Sequence, residues 1–152
     1  MAKTKNSQYG SFDTNILLRF VYKDVPHQTQ AIDAMLAKGG RFEIADAALF
    51  EMAFVMEKVY LSSRDDIVDS ILSIVRNDQF ICNKLLLEKT LPLYRDQQKL
   101  SIIDCALLVY ARLNKATPLY TFDKELVKGS GGNAREIWSE LTKINLRMTL
   151  FS

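Results

Sequence analysis

Four short strand-like runs, YGSFD (9–13), RFEIA (41–45), QFIC (79–82) and TPLYTF (117–122), are separated by stretches long enough for helices. No other feature constrains the fold as much. Parallel strands need crossovers of a dozen or more residues, usually helical, and a sheet connected in that way is covered by helices on its faces. The alternation predicts an α/β domain, a three-layer α/β/α sandwich around a central, mainly parallel sheet of four or five strands. Local punctuation divides the helical stretches. Pro26 opens one that Gly39 and Gly40 close, and Asp46 is placed to cap AALFEMAFVMEKVY. Ser62 and Ser63, followed by Asp65 and Asp66, begin DDIVDSILSIV, and Ser101 begins the SIIDCALLVYARL helix. The GSGGN turn then releases AREIWSELTKIN, read as a helix with a short strand after it. No stretch has the composition of a linker. The expectation is one domain over 1–152, with a flexible segment at 1–8 and a Gly-rich turn and C-terminal helix at 129–152.

The chain has 152 residues, 48% of them apolar, enough for one core without staples. Twenty Lys and Arg against eighteen Asp and Glu give a net charge of +2, so no global field demands a polyanionic partner and only local patches could serve one. Cys82 and Cys105 form no CxxC pattern and are expected to be reduced thiols of a cytoplasmic protein. The start, MAKTKNSQYG, lacks the apolar run of a secretory signal, and no uninterrupted run of roughly 18 apolar residues predicts a membrane span.

Connectivity places the acids. In a parallel sheet, Asp13 and Asp123 fall at the carboxyl ends of the first and fourth strands. Glu51 lies in the second turn of the helix leaving the second strand, and Asp104 in the first turn of the helix that returns to the fourth. These four are expected at the sheet edge where open α/β folds bind ligands. Three also have a purely structural reading. Asp13 and Asp123 are placed to cap helices, and Ser101 with Asp104 matches a capping box, so cap and ligand both stay open. Glu51 interrupts a helix that is apolar almost all round and is expected to be partly buried, which would call for a cation or a proton. No Lys or Arg occurs from 45 to 57, so a metal ion is the economical partner. Oxygen ligands without His or Cys select Mg²⁺ or Mn²⁺. His27 is the one histidine, which argues against a two-histidine route to RNA cleavage and against a Ser-His-Asp triad. Metal-assisted hydrolysis, well suited to phosphodiesters, is what remains.

FDTNILLRF, IADAALFEMAFVMEKVY, LSIIDCALLVYAR and LYTFDKEL, in this order and spacing, resemble the PIN domain family, most closely the VapC-like toxin ribonucleases of type II toxin-antitoxin modules. The resemblance runs over about 9–127. It implies the three-layer fold, with Asp13, Glu51, Asp104 and Asp123 around one or two Mg²⁺ or Mn²⁺ ions. It also implies endoribonuclease activity on single strands, a homodimer, and inhibition by a small antitoxin protein. On that pattern Asp13, Glu51 and Asp104 are inner ligands, and Asp123 binds a second ion or positions a water. Thr14 and Asn15 shape the turn at Asp13, while Ser101 and Thr121 supply hydroxyls. Arg19 and Lys124 are candidates for the RNA backbone, each equally a solvated charge or an ion-pair member. Phe54, Tyr60 and Tyr110 read as core or interface residues. Met52, Phe54, Met56, Ile71 and Leu72 exceed what one buried stripe needs, so some are expected to be exposed in a groove for an antitoxin helix. The helix SIIDCALLVYARL is the expected dimer surface. Two features depart from the pattern: Cys105 follows the third acid where a small residue is common, and the tail after Gly129 is longer and more helical. Two other readings fit the same residues, a PIN nuclease of RNA processing or DNA repair without an antitoxin, and a non-catalytic module whose acids only cap helices.

Overall fold

The computed structural model describes residues 8–150, without the side chains of 146, 148 and 150. The segment expected to be flexible, 1–8, therefore lies outside the described residues except for Gln8. The chain divides into two compact units, Met1–Lys84 and Leu85–Ser152.

In the first unit the order is β1 (Tyr9–Ser11), α1 (Thr14–Tyr22), α2 (Pro26–Ala37), β2 (Arg41–Glu43), α3 (Asp46–Lys58), α4 (Arg64–Val75) and β3 (Phe80–Ile81). The strands pair in parallel in the order β1-β2-β3, with Gly10 opposite Phe42 and Phe42 opposite Phe80. Each is two residues shorter than the run read from the sequence. The amide of Arg41 donates to the carbonyl of Gln8 at 2.8 Å where β2 joins β1. Gly40 makes that approach possible: its φ is +122°, and a Cβ there would lie 2.5 Å from the same carbonyl. Phe12 stacks on Phe42 at 4.3 Å, and Phe20 meets Phe80 edge-on.

α3 packs on both α1 and α4. This two-sided cover buries Met52, Met56 and Ile71 completely and leaves Leu72 half-buried. Of the five apolar residues, some of which were expected to be exposed in a groove, Phe54 alone is exposed. Asp46 is a second correction: it is the first residue of α3 rather than its cap, which is Ala45 and makes no side-chain cap bond. α4 begins as its sequence suggests, with Ser63 accepting from the amide of Asp66.

α5 (Lys84–Asp96) starts at the division and leads into α6 (Ile102–Leu113), β4 (Leu119–Thr121), α7 (Lys124–Gly129), β5 (Ala134–Glu136) and α8 (Ile137–Leu150). β4 and β5 form a parallel pair with Tyr120 opposite Arg135, and α7 is the crossover between them. The strand expected after the C-terminal helix precedes it instead. Ala134 to Glu136 carry no strong strand propensity, and only the pairing with β4 makes them a strand. Tyr94, Leu100, Cys105, Val109 and Leu126 are buried in this unit. Both units are therefore parallel α/β, with five short strands among the described residues. Cys82 and Cys105 are free thiols, and burial raises the pKa of Cys82. No helix of the described residues is long and apolar enough to cross a membrane.

Candidate functional site

Three of the four acids are set by the local chemistry of a helix start. Asp13 follows β1 in extended conformation and is the N-cap of α1, its Oδ1 accepting from the amide of Ile16 at 3.0 Å. Such a bond satisfies one of the amides that the first turn of a helix leaves without a partner. Asp123 caps α7 in the same way, with Oδ1 accepting from the amides of Glu125 at 2.8 Å and Leu126 at 3.3 Å. The hydroxyl of Thr121 in turn accepts from the amide of Asp123. Ser101 and Asp104 complete a capping box on α6: Ser101 accepts from the amide of Asp104, and the amide and hydroxyl of Ser101 both donate to Asp104 Oδ2, at 2.9 and 2.7 Å. The structural reading of all three aspartates is thus correct as far as it goes.

Glu51 differs from expectation. It is exposed, so the inference of a cation from its burial does not hold. α3 buries Leu49, Phe50, Met52, Ala53 and Met56 on its covered faces and turns Ala47, Glu51, Phe54 and Lys58, spaced three and four apart, outward. Glu51 instead has a polar partner: Thr14 donates its hydroxyl to Oε2 at 2.5 Å. In the first unit, then, Asp13, Thr14 and Glu51 come together where α1 packs on α3.

One regularity links the four carboxylates. Each uses one oxygen in these bonds: Oδ1 of Asp13, Oε2 of Glu51, Oδ2 of Asp104 and Oδ1 of Asp123. Among the described residues the other oxygen of each has no protein hydrogen-bond partner. A carboxylate with one oxygen held and the other open is oriented in advance as a ligand for one bond. The donor chemistry, oxygen without His or Cys, fits a hard cation. Among the described residues no three Asp, Glu, His or Cys side chains gather as a preformed cage. Mg²⁺ does not require one, since it keeps several waters and is bound through one or two carboxylates plus substrate phosphates.

A cleft of about 340 Å³ opens beside Asp13, lined by Phe12, Asn15, Ile16, Arg19 and Met35 among others. This is within the size range of small-ligand sites. Arg19 is not a loose cation at its rim. It pairs with Asp24 and donates to the hydroxyl of Tyr60, whose ring stacks on Tyr22 at 4.0 Å. The carboxylate of Asp24 and the Tyr60 hydroxyl raise the pKa of Arg19, and hydrogen bonding from Arg19 lowers that of Asp24. Lys124, at the start of α7, is exposed.

Sequence reasoning read Asp46 only as a cap and passed over Phe122 and Trp138. Asp46, at the start of α3, accepts from the side chain of Asn83 at 3.3 Å. Phe122 and Trp138 form an exposed aromatic pair, and Phe122 directly precedes Asp123.

The described units define a class, parallel α/β units with carboxylates at or near the starts of their helices. A family model, the PIN domain, matches residues 12–131 and includes all four acids; the chain belongs to the PIN domain family. Searches of curated proteins and of solved structures gave no significant match. PIN domains are generally metal-dependent nucleases that use Mg²⁺ or Mn²⁺, so membership suggests a nuclease with a nucleic-acid substrate.

Proposed function

We propose that this chain is a metal-dependent endoribonuclease that hydrolyses phosphodiester bonds of single-stranded RNA, with Asp13, Glu51, Asp104 and Asp123 as its acidic set. The single observation that carries this reading is the open oxygen on each of the four carboxylates, at the positions the family pattern requires. The family match crosses the division between the two units, which supports treating 1–152 as one PIN-like domain with the three-layer, four- or five-stranded sheet of that pattern. Mg²⁺ or Mn²⁺, when bound, supplies neutralisation of phosphate charge and a water acidic enough to act as a nucleophile near neutral pH. The protein supplies orientation. Backbone amides orient Asp13 and Asp123, Ser101 orients Asp104, and Thr14 holds Glu51. Asn15 borders the cleft beside Asp13, where a sugar or base next to the scissile bond has room. Lys124 offers an exposed charge to the RNA backbone, and Arg19, tied to Asp24 and Tyr60, shapes the wall of the cleft.

The toxin reading refines this one. Exposed Phe54, Val59 and Leu61 support an apolar contact for a small antitoxin, and exposed Ile103 and Leu107, one turn apart on α6, support a homodimer. A protein of this kind would act in the cytoplasm.

The test is incubation of the purified chain with single-stranded RNA and Mn²⁺, with sequencing of the ends produced. Cleavage that stops with EDTA and in Glu51→Gln is the expected result. Cleavage that persists in both overturns the assignment, and failure to cut RNA while cutting single-stranded DNA favours the repair nuclease.

A further inference from the structure

Phe122 and Trp138 are the unusual aromatic residues of the second unit. Their ring centroids lie 5.0 Å apart at an interplanar angle of 50°, yet the residues remain 65% and 59% exposed. Rings of this size normally dominate a core or an interface, and two left in water side by side mark a surface that something covers. Three observations indicate what covers it. Phe122 directly precedes Asp123, so the pair stands beside one of the four acids. Tyr120, also exposed, lies in β4 two residues before Phe122 and stands across from Arg135, and Lys124 follows the acid at the start of α7. The charge of the chain is also uneven: residues 85–152 hold ten Lys and Arg against seven Asp and Glu, whereas 1–84 hold ten against eleven. Exposed aromatic faces among cations, in the unit with the basic excess, are the composition that binds single-stranded nucleic acid, since every base offers a π-face and every linkage a negative charge.

We propose that Phe122 and Trp138 form a base-stacking platform that holds a nucleotide of the single-stranded substrate beside the bond that is cut. The platform rests on the nuclease reading for its proximity to chemistry but not for its binding. Rings 5.0 Å apart leave no room for a base between them, so the base stacks on an outer face of the pair, with the second ring supporting the first. Stacking tolerates any base, and the platform therefore adds affinity and register rather than sequence choice. Arg135 is partly engaged by Glu140 at 3.5 Å, which leaves Lys124 as the cation better placed for a phosphate. The competing occupant is a second copy of this chain, because exposed Leu141 and Ile144 continue an apolar stripe along α8.

Trp138 is the one tryptophan of the chain, so its fluorescence reports on this surface alone. The experiment titrates a single-stranded RNA of roughly ten nucleotides into the full chain in EDTA and follows Trp138 emission. Saturable quenching is expected, together with apparent affinity about tenfold weaker in Phe122→Ala. Cleavage with Mn²⁺ should show the same loss as a higher KM in Phe122→Ala and Trp138→Ala, while Trp138→Phe keeps the KM of the native chain. Both positions are exposed, so truncation should leave the melting temperature unchanged. RNA that is cut with unchanged KM by Phe122→Ala and Trp138→Ala, without quenching in the native chain, overturns the platform and leaves the nuclease standing. Quenching by RNA in a chain that cuts nothing supports the platform and defeats the nuclease. Emission that shifts with protein concentration and ignores RNA assigns the surface to a second copy and overturns the proposal.

Discussion

Replacing Asp13 by Asn and by Ala separates its capping role from the ligand role proposed for it. Asn caps helices about as well as Asp, so Asp13→Asn keeps the bond from the amide of Ile16 and loses only the favourable interaction of a negative charge with the start of α1, about 0.5 kcal/mol. Asp13→Ala loses the bond as well, for a total of about 1.5 kcal/mol. In a chain of this length 1 kcal/mol moves Tm by about 2–4 °C. Without divalent ions Asp13→Asn should therefore melt within about 1–2 °C of the native chain, and Asp13→Ala about 3–6 °C lower. With Mn²⁺ the order should no longer follow stability. Both variants should lose RNA cleavage by about a hundredfold or more, and neither should gain the full thermal stabilisation by Mn²⁺ that the proposed site predicts for the native chain. Calorimetry with and without Mn²⁺, beside a cleavage time course, reads all of these. Full cleavage by Asp13→Asn would reduce Asp13 to a cap. An Asn variant that melts as low as the Ala variant would remove the capping account.

Three further outcomes follow from the structure. Thr14→Val removes the hydroxyl that holds Glu51; because Glu51 is exposed, the urea midpoint should barely change while cleavage falls about tenfold. Met56→Ala should cost about 2–5 kcal/mol in urea denaturation, since the side chain is fully buried where α3 meets its neighbours. Asp24→Asn tests the pair with Arg19: the Asp24 pKa is lowered in the folded chain, so its stabilisation is complete above the ordinary carboxylate value and is lost as pH falls through the lowered one. The native advantage over Asp24→Asn in urea should be constant near neutrality and shrink below about pH 4.

The sequence disclosed what depends on near neighbours. Asp13, Asp123 and the pair Ser101 and Asp104 could be read as caps because cap geometry spans only three or four residues. The four longer helices between Pro26 and Leu113 that carry start signals or a clear apolar period also emerged within a few residues of their observed bounds. What could not be read depends on packing between distant segments. α3 looks apolar all round, and only its simultaneous contact with α1 and α4 decides that Met52 and Met56 are buried while Glu51 and Phe54 face water. The bond between Thr14 and Glu51 spans 37 residues, and β5 exists only through β4. The exposure of Phe122 and Trp138 was hidden for the same reason, because hydrophobicity along the chain does not say which rings remain uncovered.

On the proposed function the three aspartates both cap and ligate, and this affects how relatives of this chain should be compared. In a lineage that gave up nucleolysis, selection for folding alone would still hold positions 13 and 123 to Asp or to another capping residue, and would favour an acceptor at 104 for as long as Ser101 begins α6. Their persistence in such a descendant would therefore say little about whether it still cuts RNA. Glu51 begins no helix and fills no core, so folding places few demands on it. Relaxed selection would erode that position first, and Glu51 is the residue whose presence or loss should separate working enzymes from retired ones.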